Sequence, residues 1–381
     1  MSHMALNPNF RASRKSPDWS KLPTDLLITI LKRPSISFED FVAFSAVCSS
    51  WRSAAAKERQ NFDASRQRLP GLMHVARDLG LHTMFHSLSN RKIYRLAKHR
   101  EQDFCATEVV CSSLGWLMIA NNNNISLFNP FSGTRIQLPT RNNFDDYVLY
   151  PKKFSLSAHP SRTSDYTIMM ITHQWRELIR RPRRRRSDMW IWKPANSMWT
   201  MATGLENPGR FLDVAYYKGR YYAVDAKRIV RAFAIEEDAE TSCSLKVVWA
   251  VKIPNTLNML RGIMKWKLYI VECAESLLVV ALDHRGQKYE VYDVKVSDRM
   301  IARMSSLGDR ALFLGGNSAS FSVKASYGSE YHGSIHVSPT HPFSASNSWS
   351  IYTVISDGDK TLFGFKTGDR YHSPLWIQPT F

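Results

Sequence analysis

Between Leu22 and Trp51 the apolar positions recur at three- and four-residue steps, whereas beyond about Leu69 short runs rich in Val, Ile, Tyr, Phe and Trp alternate with Gly, Asn, Asp, Ser and Pro turns. The chain therefore reads as a small helical unit followed by a much longer β-rich body. Pro23 suits the opening turn of a helix, where its missing N–H costs nothing. Leu22, Leu26, Leu27, Ile30 and Leu31 fall on one stripe, and Pro34 stops the helix. After Ser35-Ile36-Ser37, Glu39 and Asp40 open a second helical stretch at the end where the dipole favours negative charge. Phe38, Phe41, Phe44, Val47, Cys48 and Trp51 carry the helical step on to about Lys57. Three short helices are predicted over roughly 22–57. A unit of this size rarely buries enough surface to be stable alone, so its apolar side chains have to cover an internal core and something external.

The body shows three hairpins. Ile125–Asn129 returns through Ser132-Gly133 to Arg135–Leu138, Met189–Trp192 through Pro194-Ala195-Asn196 to Met198–Met201, and Val214–Tyr217 through Lys218-Gly219 to Arg220–Val224. Leu277–Leu282, the longest apolar run, reads as a buried strand. A turn followed by aromatic and aliphatic residues recurs at Leu114-Gly115-Trp116-Leu117, Lys218-Gly219-Arg220-Tyr221-Tyr222, Lys265-Trp266-Lys267-Leu268-Tyr269, Asp309-Arg310-Ala311-Leu312-Phe313 and Trp349-Ser350-Ile351-Tyr352. From Tyr222 the aromatic steps are 47, 44 and 39 residues, to Tyr269, Phe313 and Tyr352. Repeats of about 40–50 residues with four strands each mark a β-propeller. The 313 residues from 69 to 381 then make about seven blades, with six as the alternative. A pair of β-sandwiches would not keep this period.

Composition narrows the setting. No apolar run approaches the ~18 residues needed to span a bilayer, and the polar, basic start carries no secretory signal pattern. Met1-Ser2-His3-Met4 reads as an expression scar at the head of a flexible N-terminus, residues 1–18. The five cysteines, Cys48, Cys105, Cys111, Cys243 and Cys273, are odd in number, scattered and without a C-x-x-C. That favours a reducing compartment, nucleus or cytoplasm and not secretion, over a disulfide scaffold or a structural zinc. In such a compartment the sequon Asn124-Ile125-Ser126 carries no glycan. The net charge is +18, and residues 176–187 supply a third of it through seven arginines against Glu177.

The order L-P-x-D-L-L-x-x-I-L, then V-C-x-x-W-R, resembles the F-box, here spanning 19–60. The resemblance implies docking to a Skp adaptor and, through it, to a cullin and a RING subunit. By that resemblance Leu22, Pro23, Leu26, Leu31, Val47, Cys48, Trp51 and Arg52 lie in or beside the adaptor interface, with Leu26 and Val47 as the two that could instead form internal core. In the body, Cys111-Ser112-Ser113-Leu114-Gly115-Trp116-Leu117, Leu127-Phe128-Asn129-Pro130-Phe131-Ser132-Gly133, Gln137-Leu138-Pro139 and Ala311–Ser318 resemble plant F-box proteins with a KIB-type, kelch-like propeller over 69–381. The expected fold is α+β and multidomain: an N-terminal helical F-box followed by an all-β propeller of six or seven blades. The turn His341-Pro342-Phe343-Ser344 departs from the acidic turn that family often carries there.

A catalytic constellation is not evident. G-x-S-x-G, P-loop and G-x-G-x-x-G patterns are missing. His82 and His86 share a face, yet Thr83 follows where the metalloprotease pattern needs Glu, and a third ligand is not evident. Propeller glycosidases need paired carboxylates. The candidates Asp145-Asp146, Glu236-Glu237-Asp238 and Asp357-Gly358-Asp359 sit in turn-like contexts that explain them by backbone chemistry. No cofactor or metal is expected. The run Arg180, Arg181, Arg183, Arg184, Arg185 and Arg186 has three open readings: a solvated loop, a nuclear-import signal, or a patch for an acidic partner. Trp175, Trp190 and Trp192 flank it, but Trp190 and Trp192 at strand spacing read as blade core rather than as the stacking platform of a nucleic-acid binder. The function so implied is substrate recognition in a Skp–cullin–F-box ubiquitin ligase, without chemistry of its own. A sequestering scaffold, a propeller enzyme and a polyanion binder are the alternatives.

Overall fold

The computed structural model describes residues 17–64, 69–75, 83–96, 109–121, 124–139, 149–174, 187–202, 210–237, 243–254, 267–282, 289–325, 329, 331–338, 348–355, 358–366 and 374–380. The chain divides into two compact units, Met1–Arg66 and Gln67–Phe381.

The first unit is helical. A single 3-10 turn, Trp19–Lys21, is capped by Asp18, whose carboxylate accepts from Ser20 N at 3.2 Å. Helix α1 (Thr24–Leu31) starts one residue after Pro23, whose carbonyl accepts from Leu26 N and Leu27 N. Helix α2 (Phe38–Ser45) is fixed by a capping box: Ser37 Oγ accepts from Asp40 N and Asp40 Oδ2 accepts from Ser37 N. Helix α3 (Ser49–Ala64) runs seven residues past Lys57. The chain turns at Ala46–Cys48 between α2 and α3, so the helical step from Phe38 to Lys57 is carried by two helices, three with α1 as the sequence predicts. The core of this unit is Leu27 and Leu31 of α1, Phe41 and Phe44 of α2, and Ala54, Ala55 and Phe62 of α3. The rings of Phe41 and Phe62 lie 4.3 Å apart, and those of Phe44 and Trp51 4.4 Å.

The second unit is a ring of sheets. A first sheet holds β1 (Gly71–His74), β2 (Met84–Ser87) and β3 (Ile93–Arg95). A second holds β4 (Val109–Ser113), β5 (Trp116–Asn121), β6 (Asn124–Phe128) and β7 (Arg135–Gln137). The third is β8 (Leu149–Leu156), β9 (Ile168–Gln174), β10 (Ser187–Trp192) and β11 (Thr200–Met201). The fourth is β12 (Phe211–Tyr217), β13 (Arg220–Asp225), β14 (Ile229–Glu237) and β15 (Cys243–Lys252). The fifth is β16 (Lys267–Cys273), β17 (Ser276–Leu282), β18 (Tyr289–Lys295) and β19 (Met300–Met304). The last contains β20 (Arg310–Leu314), β21 (Ser320–Lys324), β22 (Ile335–Val337), β23 (Ser348–Ile355) and β24 (Gly358–Lys366).

Strand β25 (Leu375–Ile377) comes from the C-terminus and pairs antiparallel with β1, so the first sheet runs β25-β1-β2-β3 and the ring is closed by the two ends of the unit. The last sheet departs from a plain meander. Its inner strand is β21, which pairs in parallel with β16, and β20 pairs in parallel with β22. Among the described residues the ring thus has six blades, the last two joined through the β16–β21 pairing into one nine-stranded sheet, with β25, β4, β8, β12, β16 and β21 innermost.

Among the described residues, six clusters of buried side chains lie between successive blades, and strand alternation feeds them. Leu277, Val279 and Ala281 of β17 pack toward the fourth sheet, while Leu278, Val280 and Leu282 pack toward the last. Trp116 and Met118 of β5 face the third sheet, and Leu117 and Ile119 the first. A sheet covered on both faces needs apolar residues at every position, which is why these strands read as continuous runs rather than alternating ones.

The blade period differs from the repeat read in the sequence. The second strands β5, β9, β13 and β17 open at Trp116, Ile168, Arg220 and Ser276, steps of 52, 52 and 56 residues. Of the motif at Lys265–Tyr269, the described part, Lys267-Leu268-Tyr269, belongs to an inner strand, β16, and the true equivalent of the Lys218-Gly219 turn is Ala274-Glu275 before β17. That slip shortened the apparent repeat and favoured seven blades over six, the other number the sequence allows and the one the described strands form.

Candidate functional sites: the helical face and the channel mouth

The helical unit leaves much of its apolar surface outside its core. Trp19 is 62% exposed, Leu26 52% and Val47 56%, so Leu26 and Val47 are not the internal residues that their apolar character allowed. Leu31, at 2%, is buried and acts from within the core, not at a surface. Pro23 and Arg52 are exposed, and Leu22, Cys48 and Trp51 are half-buried. Trp51 Nε1 donates to Trp19 O at 3.0 Å, Ser50 Oγ to Ser20 O at 3.0 Å, and Arg52 Nε to Ser45 O at 3.3 Å. These bonds fasten the segment before α1 and the end of α2 onto the start of α3, which gathers Trp19, Trp51 and Arg52 at one end of the unit. The Ser50 hydroxyl beside Cys48 holds its thiol below the ordinary range.

In the propeller the six inner strands converge on a cavity of 340 Å³. Ser113 follows from β4, Ser155 from β8, Tyr216 from β12, Glu272 from β16, Ser320 from β21 and Gln378 from just past β25. Arg310 closes one side. Through the lining residue Ser320 the cavity adjoins a buried pair, Lys153 Nζ to Asp213 Oδ1 at 2.6 Å. Burial works against both charges, lowering the Lys153 pKa and raising that of Asp213. Asp213 Oδ2 also accepts from Ile270 N at 3.1 Å and Ser320 Oγ at 3.2 Å.

Two segments singled out in the sequence meet beside this channel. Ser112 bridges Ser318 in parallel, Ser112 N donates to Asn317 O, and Ala319 N donates to Ser112 O. Ser112 Oγ donates to Trp376 O at 2.7 Å, and Trp376 N to Ser318 Oγ at 3.3 Å. Lys152 Nζ donates to Asn317 Oδ1 at 2.7 Å, and burial brings its pKa down to about 8. A Cβ on Gly315 would sit 1.7 Å from Ser318 Oγ, so this junction requires glycine.

The remaining candidates are dispersed. His82, Asp145, Asp146, Trp175, the run Arg180–Arg186, Asp238, Asp357 and the turn His341–Ser344 lie outside the described residues. Glu236 pairs with Lys246 at 3.2 Å on neighbouring strands. Trp192 is 5% exposed and packs with Trp199, and Trp190 packs against the same cluster. Among the described residues no three of His, Cys, Asp and Glu are grouped to hold a metal ion.

Against known families, the KIB1-4 beta-propeller model matches residues 85–358 and the F-box-like model residues 19–60. The chain belongs to the KIB1-4 β-propeller family, with an F-box ahead of the propeller. Its similarity to individual members is low. It is 25% identical to the Arabidopsis thaliana "F-box protein SKIP23" over 81% of this chain and 80% of that one, and 22% identical to the A. thaliana "F-box protein At2g26160" over 84% and 94%. With the A. thaliana "F-box protein At1g69090" it shares 27% identity over 30% of this chain, spanning only 26% of that relative's length. A chain from the crystal structure of BBS1N in complex with ARL6DN matches 78% of this chain and 76% of its own length at 11% identity and a TM-score of 0.33, too distant to support an argument.

Proposed function

We propose that this KIB1-4-family chain is the substrate-recognition subunit of a Skp–cullin–F-box ubiquitin ligase. The observation that carries the reading is a compact F-box unit whose Leu26 and Val47 stay outside its own core. Leu22, Pro23, Leu26, Val47, Cys48, Trp51 and Arg52 form the adaptor-facing set, with Leu31 holding α1 in shape from inside. The Skp adaptor links the chain to cullin and RING subunits, and the propeller holds a target protein. Catalysis is by proximity, two reactants kept in one assembly, and no residue of this chain does covalent chemistry. F-box and β-propeller domains are typical of such non-catalytic receptors. No helix among the described residues is long and apolar enough to cross a membrane. The run Arg180–Arg186 suits a nuclear-import signal within a nuclear and cytoplasmic distribution.

The test is co-purification with a Skp adaptor. The Leu26→Ala, Val47→Ala double variant should lose the adaptor while keeping its far-UV circular dichroism, because neither side chain serves the core. Undiminished adaptor binding by that variant, or none by the natural chain, overturns the reading. Target turnover with and without proteasome inhibition then separates a degradation receptor from a scaffold that sequesters its partner.

A further inference from the structure

We propose that the cavity at the channel mouth is the point where the propeller grips its target, and that it takes an acidic group, a side-chain carboxylate or a phosphate monoester on a peptide segment. The proposal rests on the receptor reading for the word "target", but its chemistry is independent of the helical unit.

The argument is a count of hydrogen-bond capacity. Five serines line the cavity. Ser320 Oγ donates to Asp213 Oδ2, whereas three of the others already accept a backbone N–H: Ser113 Oγ from Leu156 N at 3.2 Å, Ser155 Oγ from Tyr216 N at 3.1 Å and Ser157 Oγ from Thr167 N at 2.8 Å. The first two of these three bonds cross from one inner strand to the next, so the ring itself occupies the acceptor side of these hydroxyls. A hydroxyl has one donor besides its lone pairs, and here the donor is what remains to offer. Ser113 and Ser155 are buried, at 4% and 5% exposure, so their O–H groups favour a partner within the cavity. Arg310 adds a guanidinium whose ion pair with Asp309 is long, 3.8 Å, leaving its fork free for a better acceptor.

One group opposes this. Glu272 lines the same cavity, and burial with the neighbouring Glu275 charge raises its pKa. Glu272 is exposed, however, while Ser113 and Ser155 are buried and Ser157 partly so, so the hydroxyl donors and Arg310 outnumber the one carboxylate in the lining. The chain's +18 charge also favours acidic partners over basic ones at long range. A cavity of 340 Å³ holds about one or two side chains and not a folded surface.

The test uses full-length chain co-purified with its adaptor, and dye-labelled pentapeptides Gly-Ser-Xaa-Ser-Gly in which Xaa is Glu, phosphoserine, Gln or Lys, followed by fluorescence anisotropy to millimolar concentration. The Glu or phosphoserine peptide should bind more tightly than the Gln and Lys peptides, and which of the two leads identifies the source of the anion. Arg310→Gln should weaken that binding about tenfold, the effect of one charge-assisted hydrogen bond. Glu272→Gln should strengthen it severalfold by removing a like charge. Equal binding of all four peptides, preference for Lys, or tighter acidic binding in Arg310→Gln would overturn the assignment, as would an absence of binding by both acidic peptides. Arg310→Gln should keep its melting temperature and its adaptor. If no adaptor co-purifies, the same peptides are titrated against the full-length chain alone: discrimination there would keep the pocket and remove the ligase reading, and an adaptor complex that does not discriminate would do the opposite.

Discussion

Lys153 Nζ on β8 lies 2.6 Å from Asp213 Oδ1 on β12, and both side chains are all but sealed from solvent. Each residue sits at a register shift in its strand, between Pro151 and Lys153 in β8 and between Phe211 and Asp213 in β12. A bulge re-aims a side chain that the plain two-residue alternation would send elsewhere. With Ile270 N and Ser320 Oγ on its other oxygen, Asp213 ties four inner strands together at the centre of the ring. Removing one partner leaves a buried charge unpaired. Lys153→Met and Asp213→Asn should each cost about 3–5 kcal/mol, measured by chemical denaturation. The double variant Lys153→Met, Asp213→Leu should recover a large part of that loss. Single variants as stable as the natural chain would show that the ring does not depend on the pair.

Ring closure predicts a second effect. Strand β25 supplies the inner edge of the first sheet, and Trp376 is bonded to Ser112, Ser318 and Leu314 as well as packed edge-on against Phe313 at 5.1 Å. Ending the chain after residue 370 would expose the edge of β1 and the Trp376 site. The truncated protein should lose its monomeric peak in size-exclusion chromatography with light scattering and aggregate through the open edge. Gly315→Ala tests the same junction more gently and should lower the melting temperature, because its Cβ would overlap Ser318 Oγ.

The two leucines of α1 separate core from surface. Leu31→Ala should destabilise the helical unit by about 2–5 kcal/mol, since it vacates a buried site. Leu26→Ala should leave stability within about 0.5 kcal/mol, as expected of an exposed position. Thermal melts of residues 17–64 within the full chain, followed by a fluorophore near Trp51, would compare the two. The reverse ranking would mean that the stripe faces the other way.

These contrasts show where the sequence was informative. Helical periodicity in Leu22–Trp51 was legible because the apolar steps are strict, yet the stripe is wider than one core needs, so Leu31 and Leu26 could not be ranked without the packing. The three hairpins were legible from their turns: Lys218 and Gly219 both adopt positive φ, as Leu114 and Gly115 do. The blade period was misjudged because aromatic residues occur on inner as well as second strands, and Tyr269 was counted as the equivalent of Tyr222. The channel was not legible at all. Lys152-Lys153 looks like solvated charge in a strand, and only a one-residue bulge, invisible in composition, sends Lys153 to Asp213. The hydroxyls of Ser113, Ser155 and Ser157 likewise gain meaning only when neighbouring strands occupy their acceptor side.

Buried histidines make stability depend on pH. His336 is fully buried, stacked on Phe313 at 4.8 Å and hydrogen-bonded to Ser334 Oγ at 2.7 Å, and burial brings its pKa from 6.5 down to about 3. His74 falls to about 4, through burial and then the nearby His86. Below pH 6.5 the unfolded chain takes up protons that the folded chain refuses, so stability falls as pH drops from about 6.5 toward 4 and is unaffected above that window. At pH 5 each such histidine costs on the order of 2 kcal/mol relative to pH 7. Denaturation midpoints taken from pH 7 to pH 4.5 should therefore decline, and His336→Gln should decline less steeply, by about one proton's worth of slope, whatever its stability at pH 7. An unchanged slope in that variant would mean that the folded protein accommodates a charged His336, through a partner around Ser334 and Tyr331 that offsets its burial.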